Sequence, residues 1–453
     1  MLRSGILSIV LLIAGGLGTT AALADGEEGR ADEDRIARLT KAQVEMRQML
    51  QRGEKLEAAG KLEAALECYE GALTAYDAVM RDLGRDPRSM RSVFARRRGA
   101  SAKSDKAVSL ALTWLAKHQD EDGRWDTKGF AKHDPRDDRC DGPGKESYNV
   151  GVTGLALLAF LDSGHTDRGT KRDNPYSKTV RQGLRYLITM QDDEGCIGTR
   201  ASQHFIYNHA IATAALAEAY ALTKNPRYRA PAVKAVEFLF KARNPYLAWR
   251  YGVRAGENDT SVSGWCVHAL ARAHAAGLPI DKDEWTAAMD GAMTWLEKAT
   301  DPKTGRTGYN RLGGAPARPE GMQDKFPPEQ SEAMTASAVA MRIDAGKSTK
   351  GETVRKSIAL LAARPPVWNP NSGSIDLYYW FWGTRACSAV GGPAWKSWNN
   401  ALKTAVIANQ HREGSGARTG SWDPMGPWGP DGGRVYSTAL LALTLRSYYR
   451  PGR

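Results

Sequence analysis

Three carboxylates and a histidine stand where acid-base chemistry would need them. Asp259, Glu332, Asp376 and His209 each fall at or near the start of a stretch of small, apolar residues. Groups in that setting can act as general acids or bases if burial moves their pKa values. Beside them in the sequence fall Tyr148, Asn149, Tyr207, Asn258, Tyr378, Tyr379, Trp380 and Tyr436. Aromatic faces gathered in one cup can hold an isoprenoid chain or stabilise a cation, at about 0.5 to 2 kcal/mol per ring. The same residues have a plainer reading, in which acids at helix starts are caps and aromatics in apolar runs are core. Both readings stand at the level of sequence.

Metal chemistry has less support. Cys68, Cys140, Cys196, Cys266 and Cys387 show no C-x-x-C and no metal-ligand spacing with histidine, so neither metal ligands nor a cofactor are expected. His204 and His209, five apart, fall on different faces of a helix, and the remaining histidines show no paired spacing. Cys266 and Cys387 sit in apolar helical runs and read as buried thiols. Cys140 and Cys196 fall in loops and, in an exported chain, are candidates for a disulfide.

The elements that must position these groups alternate strictly between two kinds of helix. Amphipathic, charge-bearing helices are expected at 107–118, 177–190, 231–242, 283–299, 352–363 and 395–409. Small, nearly uncharged ones are expected at 150–162, 210–222, 261–274, 333–343, 377–390 and 436–445. A helix with one polar face lies at a surface, whereas one apolar all round is enclosed. Six of each, in alternation and without strand signals, predict an all-α (α/α)6 toroid, a barrel of inner helices ringed by outer helices. Each outer helix is followed by a turn rich in glycine and aromatic residues, such as QDEDGRW at 119–125, QDDEGCIG at 191–198, NPYLAWRYG at 244–252 and GSWDP at 420–424. Glycine stops the helix in a left-handed turn, and the aromatic folds back as a staple between repeats.

Other segments set the context. Residues 1–24 combine Arg3, an apolar run and Ala22-Leu23-Ala24, the pattern of a cleaved signal peptide. The expected location is therefore periplasmic or secreted, with no membrane span once the leader is removed. Residues 25–34 are acidic and expected to be disordered, and 85–102 form a basic linker. Residues 35–84 read as a helical hairpin whose phrase AAGKLEAALECYEGAL resembles one tetratricopeptide unit. A single unit cannot bury its own face, so it packs on the larger domain at 103–450 or on a protein partner. The formal charge of +12 suits an acidic glycan or another anionic partner. No zinc finger, RNA-recognition phrase or helix-turn-helix accompanies it, which argues against nucleic acid.

Residues 103–450 resemble the terpenoid cyclase and protein prenyltransferase superfamily, in particular an exported bacterial branch with prenyltransferase and squalene oxidase repeats. The phrases that carry the likeness are GENDTSVSGWCVHAL at 256–270, DLYYWFWGTRAC at 376–387 and DGGRVYSTALLALTLRSYYR at 431–450. The resemblance implies the toroid, but its active sites are altered. Asn258 occupies the position of the squalene-hopene cyclase proton donor, and an amide cannot protonate an alkene. Asp259, next to it, is expected to cap the helix with a lowered pKa. Tyr378 and Ser437 stand where the prenyltransferase zinc site has cysteine and histidine. The expectation is a toroid that binds a ligand or partner at its barrel mouth without either standard chemistry. Two alternatives remain open. One is an enzyme of altered mechanism on an isoprenoid lipid, with Asp259, Asp376 or Glu332 as acid or base. The other is a glycan-active lyase or hydrolase, in which Trp125 and Trp422 would stack on sugars.

Overall fold

The computed structural model describes residues 99–447 except 171–173, together with scattered positions between 41 and 72. The leader at 1–24, the acidic segment at 25–34 and residues 85–98 of the basic linker lie outside the described residues. The chain divides into two units, Met1–Phe94 and Ala95–Arg453. In the first, residues 44–49 and 51–56 are helical, Ala59 lies in a turn, and helical positions resume at Ala64, Cys68, Gly71 and Ala72. Met46 and Ala72 are buried there. A side chain on Gly71 would meet Met49 Sδ at 2.8 Å, so a small residue lets the two stretches approach.

The second unit is an all-α toroid. Its outer helices are α1 (Ala102–Lys117), α3 (Ser177–Thr189), α5 (Pro226–Ala242), α7 (Lys282–Ala299), α9 (Glu352–Ala363) and α11 (Gly392–Ala408). The inner helices are α2 (Asn149–Asp162), α4 (Phe205–Thr223), α6 (Thr260–Ala275), α8 (Ala333–Asp344), α10 (Leu377–Val390) and α12 (Gly429–Arg446). Each inner helix packs on the next, and α12 packs back on α2, which closes the ring. Every residue of α2 is buried, whereas α3 buries only Ser177, Val180, Gly183, Leu184 and Leu187. This is the difference that the two hydrophobic patterns predict. Several helices begin earlier than the sequence predicted, α1, α4 and α5 by five residues, α11 by three and α12 by seven. Helix α5 begins at Pro226 and carries Pro231 inside it, where the sequence placed the helix start. Helix α12 begins at Gly429 and kinks at Gly433, φ 68°.

The turns are indeed staples, and their chemistry repeats. Gln119 Nε2 donates to Gly123 O and to Thr179 O in α3, both at 2.9 Å. Gln191 does the same to Gly195 O and to Pro231 O in α5, at 3.0 and 2.9 Å. Gln410 binds Gly420 O and reaches Ala107 O in α1 at 2.8 Å, so the last repeat is tied to the first. Gly123 must be glycine twice over: its φ is +97°, and a Cβ would lie 2.1 Å from Gln182 O. The indole N–H groups of Trp125, Trp249 and Trp422 donate to Leu115 O, Leu239 O and Val406 O at 2.7 to 2.8 Å. All three indoles are fully buried. Trp125 and Trp422 therefore cannot stack on a sugar as the sequence suggested, because their faces are packed inside the repeat.

The end of the barrel formed by the inner-helix C-termini is closed by buried charge. Arg272 of α6 binds Asp162 of α2 at 3.0 and 2.9 Å and Glu218 of α4 at 3.0 Å. His268 contacts Asp344 of α8 at 3.1 Å, and Arg385 of α10 completes that group at 2.8 Å. Removing one member of such a network leaves its partners charged and dry. Arg272→Ala is expected to cost about 3 to 5 kcal/mol of unfolding free energy, measured by urea denaturation. A cost under about 1 kcal/mol would show that water reaches this end of the barrel.

Candidate functional site

The opposite end, where the inner helices begin, is open. A cavity of about 120 Å³ lies there and is continuous with solvent. Six tyrosines line it: Tyr148 before α2, Tyr207 in α4, Tyr251 and Tyr309 from turns, Tyr378 in α10 and Tyr436 in α12. Trp265 and Trp428 add indole faces, and His204, Asn208, Arg318 and Asp431 add polar groups. The lining is mostly apolar, with the polar atoms few and placed among rings, as in small-molecule sites generally.

Hydrogen bonds organise the rings. Tyr378 Oη is 2.8 Å from Ser261 Oγ, and the hydroxyls of Tyr251 and Tyr309 bond each other. The imidazole of His204 stands perpendicular to the Tyr251 ring, 4.2 Å between centroids, and burial lowers its pKa, which favours the neutral ring. Tyr148 Oη donates to Asp431 Oδ2 at 3.4 Å, while Lys145 Nζ pairs with Asp431 Oδ1 at 2.5 Å. The Arg318 guanidinium, 2% exposed, is held by Asp376 Oδ2 at 3.1 Å. Burial raises the pKa of the lining phenols, Tyr207 most plainly, so they are neutral hydroxyls.

Asp259 lies beside this wall. It is fully buried, it caps α6 through Val262 N–H to Oδ1 at 2.7 Å, and its second oxygen, Oδ2, has no hydrogen-bond partner. Its charge is felt by Tyr207, Tyr251, Tyr309 and Tyr378. The sequence predicted a cap with a lowered pKa, and only the cap is found. Burial pushes this carboxyl up to about 7, against the opposing Val262 N–H and the charge of Arg250. Desolvation outweighs one backbone hydrogen bond and the helix terminus because the second oxygen receives nothing.

The other sequence candidates divide by which way their helix turns them. Tyr148, Tyr207, Tyr378 and Tyr436 meet in the cleft. Tyr379 and Trp380 follow Tyr378 at steps of about 100° and point away from it. Tyr379 donates to Arg364 O at 2.8 Å, and Trp380 packs near Trp368, 5.9 Å between centroids. Asn149 and Asn258 are staples: Asn149 Oδ1 accepts from Thr127 N at 2.9 Å, and Asn258 Oδ1 accepts from Ala248 N at 2.9 Å. His209 is also a staple. Its Nδ1 accepts from Ile197 N at 3.0 Å and its Nε2 donates to Ala235 O at 3.0 Å, a neutral ring whose pKa burial pushes down to about 4. Thr153, Ser263, Thr335 and Thr438 bind the corresponding turn N–H in other repeats. Glu332 is tied to Arg306 at 2.6 Å and to Thr335 at 3.0 Å, and Asp376 caps α10 through Tyr379 N–H at 3.0 Å.

Cys140 and Cys196 are free thiols rather than a disulfide. They belong to different seams: Cys140 sits on Asp134, whereas Cys196 sits in the turn before α4, with its thiol 3.9 Å from Gly198 O. Sequence reasoning missed Tyr251, Tyr309, Arg318, Trp428 and Asp431. Two of these had a signal. Tyr251 and Tyr309 each stand two residues after a stapled backbone position, Trp249 and Thr307, and alternation in an extended turn aims both inward.

No protein-family model matches the sequence, and no curated protein matches it. Solved structures share the fold. A cellobiose 2-epimerase from Bacillus thermoamylovorans superposes with a TM-score of 0.52 at 12% identity, covering 78% of this chain and 99% of that one. An inactive variant of an α-1,6-mannanase from Salegentibacter, in complex with α-1,6-mannotriose, gives 0.51 at 11%, covering 76% and 99%. An unsaturated glucuronyl hydrolase specific for heparin gives 0.51 at 14%, covering 76% and 96%. At these identities the likeness is one of fold, an α/α toroid.

The Asp259 carboxyl yields a test with a definite sign. Folded Asp259 holds its proton to about pH 7, while an unfolded aspartate loses it near pH 4. Between those values the folded state binds more protons, so this group's contribution to stability falls as pH rises and levels off above about pH 7. Asp259→Asn keeps a cap acceptor and has no proton to lose. Its stability relative to wild type should grow by on the order of 2 kcal/mol between pH 5 and pH 8, read by urea denaturation at both values. A constant difference would mean that the carboxylate is solvated.

Proposed function

We propose that the tyrosine cleft binds a carbohydrate and that the protein is a glycan-active toroid. One observation carries this reading: a solvent-open cavity of about 120 Å³ walled by six tyrosines and two tryptophans. A space of that order accepts one ring-sized group. Sugar rings present apolar C–H faces to aromatic planes and hydroxyls at their edges, and a wall of phenols meets both needs. The toroids that share this fold include an epimerase named for cellobiose and a mannanase holding mannotriose, which agrees with the reading.

Charge narrows the ligand. Arg318, the cation in the cleft wall, is already paired with Asp376, and Lys145 nearby is paired with Asp431, so neither is left for a uronate or sulfate. The net charge of +12 is carried elsewhere, and the cleft suits an uncharged sugar better than an acidic glycan. Asp431 is the carboxylate that meets the ligand. Asp259 lies behind the phenols, near enough for its charge to act on them. A buried acid and an ion-paired carboxylate near one space are the kind of pair that general acid-base cleavage or epimerisation of a sugar uses. The leader pattern in residues 1–24 supports a place outside the cytoplasm, where sugar polymers are met.

The resemblance to terpenoid cyclases leaves a second reading, an isoprenoid ligand, and the apolar lining favours it. The cavity volume weighs against a long chain. Calorimetric titration with α-1,6-mannotriose, cellobiose, an unsaturated heparin disaccharide and farnesol separates these readings. Binding of a neutral sugar is expected, weakened about tenfold in Trp428→Ala and abolished as turnover, where products form, in Asp431→Asn. Binding of farnesol with no response to any sugar would overturn the carbohydrate reading.

A further inference from the structure

In the first repeat, three donor groups converge that neither the cleft nor the staples use. His118, the residue that ends α1, and Asp134 and Cys140 of the loop that follows are all buried, and their ligand atoms lie within 4.8 Å of one another. His118 Nε2 is 2.8 Å from Asp134 Oδ1. Asp134 Oδ2 accepts the Cys140 backbone N–H at 3.0 Å, which fixes the carboxylate against the cysteine.

The histidine poses the question. Its Nδ1 lies 2.7 Å from Trp114 O, and a carbonyl only accepts, so Nδ1 carries a proton. A neutral ring has no second proton, which turns the Nε2 lone pair towards a carboxylate oxygen. The 2.8 Å approach of Nε2 to Oδ1 is attractive only with a cation shared between the two groups, either a second ring proton or, after a small opening of the pair, a metal ion.

We infer that His118, Asp134 and Cys140 form a binding site for a divalent transition metal, zinc by the chemistry of the donor set. One imidazole, one carboxylate and one thiolate are ligands that zinc accepts together. The dication with one thiolate and one carboxylate is neutral overall, which removes the cost of burying unpaired charge. Tetrahedral zinc needs ligand atoms about 3.3 to 3.6 Å apart, reached by small side-chain rotations from the present spacing. The Nδ1–H to Trp114 O bond is the outer contact that ligating histidines make. Metal binding displaces the Cys140 thiol proton to solvent and releases Lys117 Nζ, now 3.2 Å from Asp134 Oδ1. The ion would clamp the 134–142 loop at the seam where the ring closes, since Asp138 of that loop accepts Ala417 N–H at 2.6 Å. The site rests on neither the cleft nor the carbohydrate reading.

The test uses chelator-treated full chain titrated with cobalt chloride. A thiolate-to-cobalt charge-transfer band and tetrahedral visible bands are expected, saturating at one ion per chain, reversed by zinc, absent in Cys140→Ser and retained in Cys68→Ser. No thiolate band at one equivalent, or a band that survives Cys140→Ser, overturns the assignment and leaves His118 as an imidazolium paired with Asp134. Circular dichroism confirms that each variant is helical. If Cys140→Ser is not, Asp134→Asn, which keeps the shape, decides through the same titration: cobalt affinity should fall at least tenfold, and unchanged affinity overturns the proposal.

Discussion

A ring of helices buried on every side has no water with which to satisfy the backbone where each hairpin turns, and the rest of this structure follows from how that need is met. The turn N–H groups of Trp125, Ile197, Trp249, Thr307 and Trp422 are bound by side chains one turn into the inner helices, Thr153, His209, Ser263, Thr335 and Thr438. The turns in exchange bind forward, through Gln119, Gln191 and Gln410, to a carbonyl of the next outer helix. A buried polar group without a partner costs about 1 to 3 kcal/mol, so each staple is a condition for the helix pair to exist. Because the last staple reaches Ala107, the ring closes by the same bond that joins any two repeats.

Those staples also give the barrel its direction. The C-terminal ends of the inner helices converge on Arg272, Asp162, Glu218, His268, Asp344 and Arg385, a set whose charges must neutralise one another because no water is at hand. The N-terminal ends receive loops of unequal length, and the tyrosines there cannot pack flat against one another. The open cleft is what remains when four inner helices begin beside tyrosines and two turns add a ring each.

Within the cleft, burial sets the protonation states. The phenols stay neutral, and Asp259 behaves as a weak acid although it sits at a helix start. A helix N-terminus favours an anion by roughly 0.3 to 1 kcal/mol at an exposed site, whereas full desolvation of a half-satisfied carboxylate is worth more. Which effect prevails depends on the count of hydrogen bonds to Oδ2, and that count is nil.

The sequence by itself determined the architecture, because the architecture is written in local patterns. Charged and uncharged helices alternate with a 3.6-residue period, and glycine and tryptophan recur at the turns, so an (α/α)6 ring could be read before any contact was known. Four of the cleft's six tyrosines were legible because they fall at helix starts. Tertiary structure decided the rest. A helix step of about 100° sends Tyr378 inward and Tyr379 and Trp380 outward, and no composition shows which. His209 reads as a catalytic base in sequence and is a staple in space, and Trp125 and Trp422 are the staples that the turn pattern predicted, not the exposed platforms that the glycan alternative required. Asp431, Arg318, Tyr251 and Tyr309 enter the cleft from irregular segments, which carry no periodicity to read. His118, Asp134 and Cys140 lie sixteen and six residues apart, a spacing that matches no motif until the loop folds back on α1. Periodic contacts are local and leave a trace in the chain, whereas convergence of single residues from loops is set only by the closed ring.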